Sequence, residues 1–139
     1  LDKKKVLENC AKMGKNTLME TLEIEFTDAG EDFLTARMPV TSKVHQPDGV
    51  LHGGASVALA ETVGSAASMI FMDLEKVTVR GIEISANHIK SIRSGFVFAT
   101  ATILHKGRTT QVWDIKICDK DDRLISAVKL TTISFPKKN

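Results

Sequence analysis

One segment governs what this chain can become. Residues 53–72 read GGASVALAETVGSAASMIFM, with Glu61 as the only charge. Eleven of the twenty are Gly, Ala or Ser, so the helix they predict is slim and apolar nearly all round, as a helix enclosed by protein must be. About twenty residues could also cross a bilayer. Three glycines, three serines, Thr62 and a carboxylate make that costly, and no second such stretch accompanies it. A central helix over 53–72 is expected, with no membrane partner.

Around this segment the pattern changes to period two. In residues 18–27, Leu22, Ile24 and Phe26 alternate with Glu23, Glu25 and Thr27, which predicts a half-exposed strand. A turn over 28–30 and a second strand over 32–40, which Pro39 helps to end, complete a hairpin. β-branched residues then concentrate in 77–89, 96–104, 111–118 and 124–135. After a turn over 73–76, these stretches are separated by breaks short enough for antiparallel neighbours, so a four-strand meander is expected. Residues 2–13 carry Val6, Leu7, Cys10 and Met13 at helical spacing, a short amphipathic flank within 1–14 closed by Gly14. One apolar sheet face needs one cover, and only the 53–72 helix is apolar enough. The expected class is α+β: a single domain over 1–139, its curved antiparallel sheet wrapped around one long central helix.

Composition removes several functions. The 139 residues are 42% hydrophobic and 26% charged, which suits a packed core. Nineteen basic against seventeen acidic residues give a net charge of +2, too balanced for a duplex nucleic-acid binder, and six Phe with one Trp leave few platforms for bases. Cys10 and Cys118 form no CxxC pair, so neither a metal site nor a disulfide framework is expected. There is no GxGxxG, P-loop, HExxH or GxSxG. Ser126 and Lys129 match S-x-x-K, but on a strand, where chance is the better account. The basic N-terminal stretch lacks the apolar region of a signal peptide, which points to a cytoplasmic protein.

The chemistry concentrates at the junction His45-Gln46-Pro47-Asp48-Gly49-Val50-Leu51-His52-Gly53-Gly54. Gly53 and Gly54 fall at the helix start, where backbone N–H groups lack intrahelical partners and the dipole favours negative charge. Such a place suits an oxyanion; the competing reading is that the glycines only shape the helix start. Glu61 is expected to be partly desolvated and poised for proton transfer, with Ser65 four residues on along its face. Its alternative is a buried carboxylate satisfied at a subunit interface. Gly53 and Glu61 lie about 12 Å apart along a helix axis. One carbonyl can hardly meet both on one chain, so the site is expected between subunits of a homo-oligomer. His52 and Gln46 flank the junction and can orient a carbonyl or a water. His45 and His105 read as solvent or loop histidines, and His88 as a strand histidine. Between Glu83 and Asp114 the charges are Lys90, Arg93, Lys106 and Arg108, which suit either ligand phosphates or scattered surface charge.

The runs VHQPDGVLHGGASVALAETVGSAAS, GIEISANHIKSIRSG and QVWDIKICDKDDRLISAVKLTT resemble the hotdog-fold acyl-CoA thioesterases, in the branch of the phenylacetate-pathway and second-type 4-hydroxybenzoyl-CoA enzymes. That resemblance implies a hotdog fold, a homotetramer built as a dimer of dimers, and hydrolysis of an acyl-CoA or aroyl-CoA substrate with no cofactor, coenzyme A being part of the substrate. It implies Glu61 as nucleophile or general base, the Gly53 N–H on the thioester carbonyl, Gln46 and His52 beside that carbonyl, and Ser65 near the carboxylate or water. It also implies His88 and Lys90 near the pantetheine or nucleotide arm. Lys90-Ser91 stands where many hotdog proteins carry Arg-Pro, and Arg108-Thr109 departs from the serine-arginine order of close relatives. A hotdog dehydratase or hydratase pairing His52 with Glu61, and a non-catalytic acyl-CoA-binding module, are the rival classes.

Overall fold

The computed structural model describes residues 1–70, 72 and 74–138. The parts of the expected helix, turn and domain that fall on Phe71, Asp73 and Asn139 lie outside the described residues. In chain order the elements are α1 (Lys3–Met13), α2 (Leu18–Thr21), β1 (Glu25–Ala29), β2 (Phe33–Pro39), a short 3-10 turn (Ser42–Val44), α3 (Gly53–Ile70), β3 (Val77–His88), β4 (Phe96–Lys106), β5 (Thr110–Cys118) and β6 (Leu124–Pro136). All six strands join one antiparallel sheet in the order β1-β2-β4-β5-β6-β3. The α+β architecture and the long central helix agree with expectation.

α3 packs against β2, β3, β4, β5 and β6, and its small residues set how closely. A methyl group added at Gly64 would sit 2.4 Å from Leu130 Cδ2 and 2.9 Å from Ile115 Cδ1. Leu59 and Val63 on the same face are fully buried with Leu34, Met38, Trp113, Ile115, Ile117 and Leu130. Each large apolar side chain so enclosed contributes about 1.5–3 kcal/mol. Towards the C-terminus of α3 the contact turns polar. Trp113 Nε1–H donates to Ser68 Oγ at 2.7 Å, Ser68 and Thr132 share a 2.6 Å bond, and the Thr132 hydroxyl donates to Gln111 Oε1 at 2.9 Å. Because Thr132 spends its proton on Gln111, the Ser68 hydroxyl is the donor to Thr132. Ser68, Thr132 and Gln111 are buried, so this relay satisfies groups that would otherwise be costly there.

Several expectations need correction. Residues 18–21 form α2, capped by the Thr17 hydroxyl at Met19 N, and the strand begins only at Glu25. Glu23 takes φ 58°, a left-handed turn that resets the chain direction and breaks the apparent alternation. Asp28 and Ala29 belong to β1, with a register shift between Phe26 and Asp28, rather than to a turn. The four later strands are no simple meander. β4, β5 and β6 follow one another, but β3 pairs only with β6, and β4 pairs with β2. α3 ends at Ile70, short of Met72. Nor is it enclosed all round: within one chain Ala58, Glu61, Thr62, Ser65 and Met69 stay only half-buried. Among the described residues no helix is long and apolar enough to cross a membrane.

Candidate functional site

The stretch before α3 folds back on itself and is braced by the stretch after β3. Gln46 N–H donates to Val50 O at 2.8 Å, Gly49 N–H to Gln46 O at 3.0 Å, and His52 N–H to Val44 O at 2.8 Å. Leu51 N–H reaches Ile92 O at 2.8 Å, and Arg93 Nη1 donates to Asp48 O at 3.2 Å. His45 Nε2 lies 2.9 Å from Arg93 O. Arg93 therefore serves as a loop brace, and His45 joins it there as a loop histidine, in line with expectation. The Asp48 N–H donates to Gln46 Oε1, which leaves the Gln46 amide NH2 as the group available to a ligand.

At the helix start, His52 Nδ1 accepts from Gly54 N–H at 2.7 Å, while His52 O receives Ala55 N–H and Ser56 N–H. The histidine caps α3, and a neutral ring bonded this way carries its proton on Nε2. Gly53 N–H has no acceptor among the described residues. Gly53 lines a cleft of about 240 Å³ together with Gln46, Ser56, His88, Lys90 and Ser126, among others. A Cβ on residue 53 would stand 2.7 Å from His88 Nε2, so only glycine lets the imidazole lie against the helix tip. Ser126 Oγ, bonded to His88 Nδ1 at 2.8 Å, sets that ring. Lys129, three residues along β6, is exposed where Ser126 is buried, so the S-x-x-K match forms no catalytic pair.

Glu61 belongs to a different hollow, of about 370 Å³, shared with Met13, Leu18, Met19, Ser65 and Met69. Among the described residues its carboxylate takes no hydrogen bond or ion pair. Its seat is β3: a Cβ on Gly81 would fall 2.6 Å from Glu61 Oε2, at the register shift between Gly81 and Glu83. Thr62 spends its hydroxyl on Ala58 O at 2.7 Å, whereas the Ser65 hydroxyl has no partner among the described residues and lines the carboxylate's hollow.

The structure thus gathers Gln46, Gly53, His88 and Lys90 in one cleft, leaves His52 out of its lining as the cap on Gly54, and places Glu61 with Ser65 in another hollow. Lys106 and Arg108 sit elsewhere. Lys106 opposes Gln111, which opposes Thr132, while His88 opposes Ser126; along β6 that difference is about 20 Å. Two members of the site escaped sequence reasoning. Ser126 stood out only as half of the S-x-x-K match and not as a partner of His88, whereas Gly81, a glycine inside a strand, is the kind of residue that marks close approach. Among the described residues no group of three or more His, Cys, Asp or Glu could hold a metal ion.

Residues 48–126 match the thioesterase superfamily model. The 1,4-dihydroxy-2-naphthoyl-CoA hydrolase of Escherichia coli is 45% identical over 130 residues, covering 94% of this chain and 95% of that one. A Pseudomonas aeruginosa thioesterase, solved with a glutamine replaced by alanine, superposes with TM-score 0.92 at 43% identity over 94% of each chain. A Staphylococcus aureus thioesterase, also solved with a glutamine changed to alanine, gives TM-score 0.83 at 44% identity, covering 86% of this chain and 98% of that one. The same protein was solved with a glutamate changed to alanine. With its long helix laid on a six-strand antiparallel sheet, the chain belongs to the thioesterase superfamily and is a thioester hydrolase of the hotdog fold.

Proposed function

We propose that the protein hydrolyses acyl- or aroyl-CoA thioesters, with Glu61 as the reacting carboxylate and the Gly53 N–H as oxyanion donor, in a site shared by two copies of the chain. The observation that carries this reading is the separation of the two groups. Both are unpaired among the described residues, both are on α3, and they open into different hollows eight residues apart, about 12 Å along the axis. A second copy supplies the missing half of each. β3 is the natural seam, since among the described residues one edge of this twelve-residue strand has no partner strand and Ile82 on it is 57% exposed. In the Staphylococcus aureus relative, the glutamine and glutamate chosen for replacement lie fifteen residues apart, the spacing of Gln46 and Glu61 here. A dimer of dimers in the cytoplasm is the assembly we propose.

The chemistry balances in either of two ways. Acting as base, Glu61 takes a proton from water as its oxygen attacks the thioester carbon; the tetrahedral oxyanion rests on Gly53 N–H and collapses to the acid, and the departing thiolate takes the proton back. Acting as nucleophile, the carboxylate forms a mixed anhydride and expels the thiolate, and water then cleaves the anhydride to regenerate Glu61. In both, the Gln46 NH2 and His52 Nε2–H are donors for the carbonyl oxygen or the water, and Ser65 steadies the carboxylate. His88 and Lys90 face the thiol-bearing arm. Water is the only co-reactant.

Mixed oligomers test the shared site. A chain carrying Glu61→Ala and a chain carrying Gly53→Val are each expected to release no thiol from benzoyl-CoA above background. Co-refolded one to one, they should recover up to about a quarter of wild-type turnover through one intact composite site. No recovery in a mixture shown by mass to contain heterodimers overturns sharing. A new absorbance without free thiol would instead favour the dehydratase class.

A further inference from the structure

The hollow that holds Glu61 does not end there. It abuts a second, of about 430 Å³, across Met13, Ala66 and Met69, which line both. Glu61, Ser65 and Met69 follow one another at four-residue spacing along the half-buried stripe of α3, so the two hollows form one trough leading away from the carboxylate for about 12 Å and more. The opposite wall is the N-terminal segment: Met13 and Leu18 flank the first part, Val6 the second. Polarity falls along the way. Near the start stand Glu61, Thr62 and Ser65, whereas beyond Met69 the described lining is Val6, Cys10, Ile70 and Leu74, with Asn9 the one polar side chain among the described residues. Burial pushes the Cys10 thiol up from its ordinary range, as expected of an apolar wall. Three large apolar side chains round this trough remain in water: Met13 is 43%, Leu18 60% and Leu74 38% exposed. By contrast the Gly53 cleft sets Gln46, Ser56, His88, Lys90 and Ser126 beside four aliphatic side chains, and suits the carbonyl and the polar arm of a thioester.

We infer that this trough between α3 and the N-terminal helices receives the acyl group, that the preferred substrates carry an extended apolar acyl chain rather than an acetyl-sized one, and that Met13 and Met69 set the length accepted. The inference rests on the proposed role of Glu61, because a thioester carbon held at that carboxylate has its acyl end at the mouth of the trough. Met13 is the divider. An unbranched side chain at the end of α1, free to change rotamer, can close the second hollow for a short acyl group or swing aside for a long one.

The test is a series of straight-chain acyl-CoAs from acetyl to dodecanoyl, assayed by thiol release with the full chain. The unaltered protein is expected to show kcat/KM at least tenfold higher for decanoyl-CoA than for acetyl-CoA. Met13→Trp should lower that ratio at least tenfold by blocking the trough, and Met69→Trp should do the same from the opposite wall. Met13→Ala should move the optimum to a longer chain. Ratios unmoved in both tryptophan variants overturn the inference, as does a change of oligomer mass by sedimentation without a change of ratio, which would make the patch a contact between copies. If the unaltered protein releases thiol from no member of the series and none from benzoyl-CoA, the proposed function itself falls, which is a different result from uniform hydrolysis of every chain length.

Discussion

The two ends of α3 make an instructive contrast. In its C-terminal half, Ser68 is locked between the Trp113 indole and Thr132, and that relay ends on Gln111, all within one chain. In its N-terminal half and on its outward stripe, Gly53 N–H, the Glu61 carboxylate and the Ser65 hydroxyl have no such partner among the described residues. The same helix therefore carries polar groups of two kinds. Those satisfied internally stabilise the fold and fix how the helix sits on the sheet. Those left unmet keep their bonding capacity for something outside the chain, at a cost that the buried end of the helix offsets.

Substitutions should separate the two kinds, and the largest effect is expected at Glu61. Glu61→Gln keeps shape but removes the base or nucleophile, so kcat for any accepted thioester should drop by orders of magnitude while the thermal unfolding midpoint holds. A kcat within tenfold of wild type would show that the unmet carboxylate is not the reacting group. Next comes Gly53→Ala, whose methyl must displace His88; losing the use of an oxyanion donor costs about 10²–10³ in rate, read in kcat with the fold monitored by circular dichroism. Ser68→Ala reverses the pattern. It removes the hydroxyl that accepts from Trp113 and donates to Thr132 in the core, and should lower stability by about 1–3 kcal/mol in urea titration, with kcat per folded molecule unchanged.

The smallest effect is expected far from α3, at Asp119. The Arg123 N–H, helped by the Asp121 N–H and the Arg123 charge, outweighs desolvation and holds this carboxyl below its ordinary value of 3.8. A carboxyl lowered in the folded state stabilises it above that ordinary value and loses the contribution as pH falls through the folded one. Asp119→Ala should therefore reduce stability slightly at neutral pH, and the gap to wild type should narrow in acid unfolding below about pH 4.

Much of the frame was legible because burial leaves a periodic trace. The run from Gly53 read as a helix set against the core, and strand patterns, alternating in 22–27 and β-branched over 77–89 and 124–135, marked strands. Alternation says which side chains face inward, however, and not which strand lies alongside. That is why the pairing of β3 with β6, across more than thirty residues of chain, was misread as a meander. Residues 18–21 failed for a local reason: the Thr17 cap and the left-handed Glu23 override a pattern that continues unbroken in one-letter code. At the site, Glu61 and Gly53 stood out because each is anomalous in its own surroundings. Ser126 is ordinary where it stands and acquires meaning only from the imidazole across the sheet.

The notch that Gly81 leaves for Glu61 has a further meaning. The carboxylate leans on a strand that pairs along one edge only among the described residues, so in the shared site proposed above a copy docking along the other edge would also set how firmly Glu61 is braced. On that proposal, assembly and the seating of Glu61 meet in one glycine, whose missing methyl makes room for the carboxylate.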